Sequence, residues 1–153
     1  MDPKDIPPCM IYIDKEGRWY HRGSEMIHRE IILDFYRHME MDQHGRCIIN
    51  WNGAPCYVET EDTPYCVRRT RMEGSRESGG ISRFVLHLSG GESEALNPST
   101  LNMGKDNILY CKVRDGIFPA RFSRAAYYQL AEYIEEENGR FFLPVNGEKY
   151  YLD

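Results

Sequence analysis

Apolar and polar positions alternate with a period of two along most of this chain, and a helical period takes over in two stretches. From Ile81 to Leu88, Phe84, Leu86 and Leu88 alternate with Arg83, Val85 and His87, as in a half-buried strand. From Ser24 to about Glu40, Ile32, Phe35, Tyr36 and Met39 recur at helical spacing, opposite Arg29, Glu30, Asp34 and Arg37. Ser24 is the expected N-cap there, with Glu25 favourably placed in the first turn. A second helix is expected from a Ser123 cap to about Glu136, with Tyr127, Leu130, Ala131 and Ile134 as its stripe. Phe122 and Tyr127 occupy hydrophobic-staple positions, and Asn138-Gly139 is expected to close the helix as a left-handed C-cap.

The turns repeat. Gly45-Arg46 is followed after five residues by Asn52-Gly53 and then a strand, and Gly139-Arg140 is followed in the same way by Asn146-Gly147. Asn-Gly between apolar runs signals a two-residue hairpin, because both residues tolerate φ > 0. Upstream, hairpins are expected around Glu16-Gly17 and Asp115-Gly116, each followed by one of the helices. The expected class is therefore α+β, mostly antiparallel sheets with two helices. Two repeated hairpin–helix–hairpin units are joined by a strand-rich middle, and a longer first helix or helix exit takes up the difference in length. The expected divisions are 1–60, the N-terminal repeat unit, and 61–153, the middle plus the C-terminal unit. Residues 1–10 read as an arm, 73–80 as a mobile loop, and Pro119 as the mark of an edge strand.

A chain of 153 residues with 41% hydrophobic and 28% charged residues is globular, and a net charge of −5 argues against non-specific nucleic-acid binding. No basic leader precedes an apolar core, and no apolar run is long enough to span a bilayer, so a cytoplasmic protein without membrane or nucleic-acid partners is expected. The five cysteines lack a Cys-x-x-Cys pair; Cys47, Cys56, Cys66 and Cys111 lie in apolar strand contexts and read as buried, reduced thiols. Eleven tyrosines cluster in the repeated units and suit binding surfaces as well as half-buried strands.

Asp14-Lys15-Glu16-Gly17-Arg18-Trp19-Tyr20-His21-Arg22-Gly23-Ser24, Val58 through Tyr65, Val113 through Ile117, and Arg121 through Tyr128 together resemble domain-of-unknown-function family 1285, an uncharacterised bacterial family. The resemblance implies a fold with repeated motifs, a role in binding or signal transduction, and no established reaction. The departures are a short middle region and a plain Ser-rich loop near residue 75.

Candidate chemistry is sparse. No phosphate loop, metal-ligand spacing or cofactor motif is present, so no metal or cofactor is expected. The five histidines read as surface or packing residues, and a dyad such as Cys47 with His21 would have to be assembled by the fold. Glu59, Glu61 and Asp62 before Pro64 read as turn formers. Arg68, Arg69 and Arg71 near Tyr65 could grip an anion, although a solvated strand face answered by Glu73 and Glu77 is the simpler reading. Arg114, Arg121 and Arg124 surround the start of the second helix, where Arg124 opposes the helix dipole and calls for an acid such as Glu61 or Asp62, or for a bound anion. The expected ligand-binding set is Trp19, Tyr65, Arg68, Tyr110, Arg114, Arg121 and Arg124, with no catalytic residue assigned. The leading expectation is a non-enzymatic module for a small anionic ligand or a protein partner. The alternatives are an enzyme with a His/Cys/acid site, or a structural subunit.

Overall fold

Arg22-Gly23, Asn52-Gly53, Asn138-Gly139 and Asn146-Gly147 all place both residues at positive φ, and each joins two antiparallel strands. That is the conformation in which a two-residue turn matches the twist of its flanking strands. The computed structural model describes residues 6–75 and 80–152 and divides into two compact units, one ending at Pro64 and the other starting at Tyr65. The architecture is α+β, with three mostly antiparallel sheets and two helices.

The first unit contains β1 (Pro8–Ile13), β2 (Trp19–His21), β3 (Ser24–Glu25), α1 (Arg29–Arg37), β4 (Met39–Met41), β5 (Cys47–Trp51) and β6 (Ala54–Thr60). Its sheet runs β3-β2-β1-β6-β5-β4, with β1 and β6 parallel at the centre. The helix covers this sheet through aromatic rings. Trp19 Nε1 donates to Tyr36 Oη at 3.1 Å, Tyr36 Oη donates to the Pro64 carbonyl at 2.9 Å, and Phe35 stacks on Trp19 and meets the edge of Trp51. Burying the polar tips of Trp and Tyr is tolerable because each finds a partner.

Ser24 is not the helix cap. The Arg22-Gly23 turn sends Ser24 and Glu25 back along β2, and α1 starts five residues later, behind His28, which makes no side-chain cap. The extra length of this half therefore precedes the helix rather than following it.

Two hairpins of the first unit close in one way. In Asp14-Lys15-Glu16-Gly17-Arg18, Asp14 Oδ1 accepts the backbone N–H groups of Glu16 and Arg18, and Arg18 Nε donates to Oδ2. In Asp42-Gln43-His44-Gly45-Arg46, Asp42 accepts from His44, Arg46 and Arg46 Nε in the same positions. Gly17 and Gly45, at φ +85° and +79°, supply the left-handed residue. The Gly-Arg signature thus marks an aspartate-latched turn, and Gly139-Arg140 does not share it.

The second unit contains β7 (Tyr65–Ser75), β8 (Gly80–Leu88), β9 (Ser93–Ala95), β10 (Asn102–Met103), β11 (Leu109–Val113), β12 (Phe118–Phe122), α2 (Arg124–Ala131), β13 (Glu135–Glu137), β14 (Arg140–Val145) and β15 (Glu148–Tyr151). One sheet runs β10-β11-β12-β7-β8-β9 and the other β13-β14-β15. The expected loop at 73–80 is strand at both ends, and residues 76–79 lie outside the described residues. Pro119 does not mark an edge, since β12 sits between β11 and β7. Pairing with β7 begins only at Ala120, so the missing N–H of Pro119 falls outside that ladder. A register shift between Val67 and Arg69 leaves Arg68 and Arg69 both exposed and turns Thr70 inward. Thr70 then holds α2, with its N–H donating to Gln129 Oε1 at 2.8 Å and its hydroxyl to the Ala126 carbonyl at 3.1 Å. Ser123 caps α2 as expected, accepting from Ala126 N–H. The helix ends at Ala131, and Asn138-Gly139 is a hairpin turn, not its C-cap.

Among the described residues, no helix is long and apolar enough to cross a membrane.

Gly147 sits at φ +83° with open space where a Cβ would lie, so the effect of a Gly147→Val change comes from backbone strain. It should cost about 1 kcal/mol or more in chemical denaturation. An unchanged midpoint would rule out this turn conformation. The Asp14 latch gives a pH signature. Burial pushes its carboxyl upward, but the hydrogen bonds from Arg18, Glu16 and Tyr20 outweigh this and hold it below its ordinary value. A depressed folded value contributes stability that is present above about pH 4 and lost as pH falls through the folded value. Asp14→Asn should lower the Tm at neutral pH and flatten the acid decline. An acid limb identical to that of the unaltered chain would show that the latch does not titrate in this way.

Candidate functional site

Of the residues expected to bind a ligand, Tyr65 and Arg114 are brought together. The β11–β12 loop runs through Arg114, Asp115 and Gly116 at positive φ, a costly conformation for the first of these. It is answered by Glu94, whose two carboxylate oxygens accept the Arg114 backbone N–H at 3.1 Å each. Arg114 Nη1 donates to Tyr65 Oη at 2.9 Å, and the guanidinium lies 5.0 Å from the Phe118 ring centroid. Burial pushes the Glu94 carboxyl up, while the Arg114 N–H draws it back. This cluster holds its own loop in place, and its arginine is already engaged.

The other candidates are spread out. Trp19 is in the core of the first unit. Tyr110 and Arg121 are cross-strand partners, and Arg121 pairs onward with Cys66. Tyr110 also packs on Gly104, where a Cβ would come within 2.7 Å of the ring. Arg68 and Arg124 are exposed and approach each other through Ser123, whose hydroxyl donates to the Arg68 carbonyl at 3.1 Å while Arg124 opens α2. Arg71 pairs with Glu73 at 3.0 Å and Arg83 pairs with the same carboxylate, in keeping with a solvated strand face; Arg76 and Glu77 lie outside the described residues. Glu61 accepts the Lys15 backbone N–H at 2.9 Å and so works as part of a turn. Glu61 and Asp62 belong to the first unit and Arg121 and Arg124 to the second.

The thiols do not form a nucleophilic site. Cys56 is not a free thiol, because it is bonded to Cys9 across the adjacent strands β1 and β6, which the odd cysteine count and apolar context gave no reason to expect. Burial pushes Cys47 up to about 11 and Cys111 up to about 12, so both stay protonated near neutrality. Cys47 and His21 cannot meet: β1 and β6 lie between their strands, three strand spacings or about 14 Å. No group of three or more His, Cys, Asp or Glu is placed to hold a metal among the described residues.

A different feature offers a surface for a ligand. In the second unit, an open groove of about 660 Å³ lies between α2 and the β13–β15 sheet, lined by Met103, Tyr127, Ala131, Ile134, Phe141 and Leu152, with Asn107, Glu136 and Arg140 also contributing. Its volume is that of a small-ligand or peptide site. Sequence reasoning placed Tyr127, Ala131 and Ile134 on the core face of α2. The residues buried there are Ala126 and Leu130, and the other three form a groove wall. In the sequence the signals are an apolar stripe wider than one buried helix face needs and the adjacent pair Phe141-Phe142, of which strand alternation buries only one; Phe141 is the exposed one, at 53%.

Neither a family sequence profile nor a curated protein sequence matches this chain. The fold does have counterparts: it is an α+β fold shared with proteins of the DUF1285 family. A DUF1285 family protein from Silicibacter pomeroyi DSS-3 superposes with a TM-score of 0.80 at 17% identity, covering 97% of this chain and 81% of that one. Another, from Shewanella baltica OS155, gives 0.63 at 16% identity over 80% of this chain and 91% of that one. The family resemblance read from the residues is thus matched in three dimensions, and at these identities the likeness establishes the fold.

The full chain, alkylated in its native state near pH 8, should show no rapidly modified thiol. Unfolded without reduction it should show three, and after reduction five. Five in the unreduced sample would refute the Cys9–Cys56 bond.

Proposed function

We propose that this protein is a non-enzymatic binding module whose main ligand is a protein partner, in a signalling or regulatory role. The observation that carries this reading is the apolar groove of the second unit with Phe141 exposed on its wall, since a large exposed aromatic beside a concave apolar surface marks an interaction site. The protonated thiols and the separation of Cys47 from His21 weigh against the enzyme alternative. The structural-subunit alternative is less favoured, because the groove is concave where a subunit interface would be flat.

A second reading, a small anionic ligand, is supported at one place. Arg68 and Arg124 are exposed and adjacent at the positive end of α2, and Arg124 sits where the dipole favours an anion. The reading of two repeated units is supported by a shared order of hairpin, helix and three-stranded meander, and superposing residues 11–59 on 108–152 tests it. The Cys9–Cys56 disulfide weighs against the expected cytoplasmic setting, where thiols are kept reduced.

Thermal melting of the full chain against two panels separates the ligand readings, because a ligand selective for the native state raises the Tm. Pools of random peptides should raise it in the unaltered chain and not in Phe141→Ala. Phosphate, nucleotides and dicarboxylates should leave it unchanged. A rise with small anions that disappears in Arg124→Gln would favour the anion reading instead, and no rise with either panel would refute the binding function.

A further inference from the structure

The groove is apolar at its walls and acidic along one side. Glu135, Glu136 and Glu137 of β13 are all exposed, and Glu132 lies just before them. Strand β13 is an edge: it pairs with β14, and no strand pairs with its other side among the described residues. The register says which backbone groups face outward. The two-residue turn at Asn138-Gly139 makes Glu137 and Arg140 the hydrogen-bonded pair that flanks it, and alternation makes Glu135 and Phe142 the next one. The N–H and C=O of Glu136 therefore point away from the sheet. Its side chain shares a face with Phe141, its cross-strand partner, and both line the groove.

An edge with outward backbone groups beside an apolar groove can accept an added strand. The charges decide which strand. A second copy of β13 would set glutamate against glutamate, which is unfavourable, and acidic edges are a known defence against self-pairing. A cationic strand avoids that glutamate–glutamate clash, and the cations already on that face, Arg140 and Lys149, are set against Glu137. The sheet itself supplies the example, since Lys149 of β15 reaches across β14 to Glu137 at 2.5 Å.

We propose that β13 and the groove bind an extended segment of a protein partner in which Lys or Arg alternates with large apolar residues. The segment adds to the sheet at the backbone of Glu136. Its apolar side chains fall on the Glu136/Phe141 face, over the groove, and its cations on the face of Glu135 and Glu137. This deepens the protein-partner reading and rests on it.

The test is selection of random peptides displayed on phage against the full chain, followed by affinity measurements on an enriched peptide. Enriched sequences should alternate Lys or Arg with Leu, Ile, Val or Phe. Affinity should fall about tenfold in Phe141→Ala and about tenfold or more in the charge reversal Glu135→Lys/Glu137→Lys, and should weaken with added salt. Amide exchange at Glu136 should slow on binding. All three side chains are exposed, and loss of the exposed Glu137–Lys149 pair should lower the Tm only slightly. Enriched peptides that lose affinity in Phe141→Ala but carry no cations and ignore the charge reversal would overturn the basic-strand inference and leave the partner reading standing. Peptides indifferent to both changes would overturn the site. No enrichment at all would overturn the inference together with the reading on which it rests.

Discussion

The β13–β15 sheet depends on two turns that admit little but Asn-Gly. Asn138, Gly139, Asn146 and Gly147 all hold positive φ, and each pair reverses the chain in two residues. Such tight reversals leave no slack in register, so Glu135 must face Phe142 and Phe142 must face Tyr151. That register buries Phe142 and Leu143 and puts Phe141 on the groove wall. A slip by one residue would exchange Phe141 and Phe142, closing the groove and exposing the ring that now supports the sheet. The groove is thus a consequence of turn geometry before it is a matter of side-chain chemistry.

The same dipeptide explains what could be read from the chain and what could not. Asn52-Gly53 and Asn146-Gly147 lie between apolar strands and announce themselves as hairpin turns. Asn138-Gly139 follows three glutamates, which have low strand preference, and helix continuing to a left-handed cap was the natural reading. Glu135–Glu137 form a strand because pairing with Arg140, Phe141 and Phe142 overrides that preference. The first helix starts later than its sequence pattern indicates for a related reason. Ser24 has every local feature of a cap, but Arg22-Gly23 returns the chain along β2 before a helix can start, and nothing in an Arg-Gly pair signals this as strongly as Asn-Gly does. Strand alternation, the Ser123 cap and the α+β class followed from patterns of a few residues. The Cys9–Cys56 bond and the groove required distant segments to meet, and short-range periodicity carries no information about that.

The arginines show how the same limit acts on function. In sequence, Arg114 was attractive because it stood near tyrosines and other cations. In the fold its guanidinium is spent on Tyr65 and Phe118 and its N–H on Glu94, so that a residue at φ +53° can hold the hairpin loop. Moving the guanidinium to a ligand would break its contacts with Tyr65 and Phe118, and breaking a partly buried charge-assisted contact costs more than an exposed contact returns. Among the described residues Arg68 and Arg124 carry no comparable structural duty in their side chains, but at an exposed position a single ion pair contributes only some tenths of a kcal/mol. An anion held there would need several donors converging at once. The groove faces no such requirement. Its apolar wall gains free energy from any side chain that displaces water, at roughly 25 cal/mol per Å², while the outward N–H and C=O of Glu136 supply direction. Apolar area for affinity and backbone groups for orientation are what an extended peptide can use and a small anion cannot, and this difference in physical demand is the reason for proposing a partner's chain rather than a free anion.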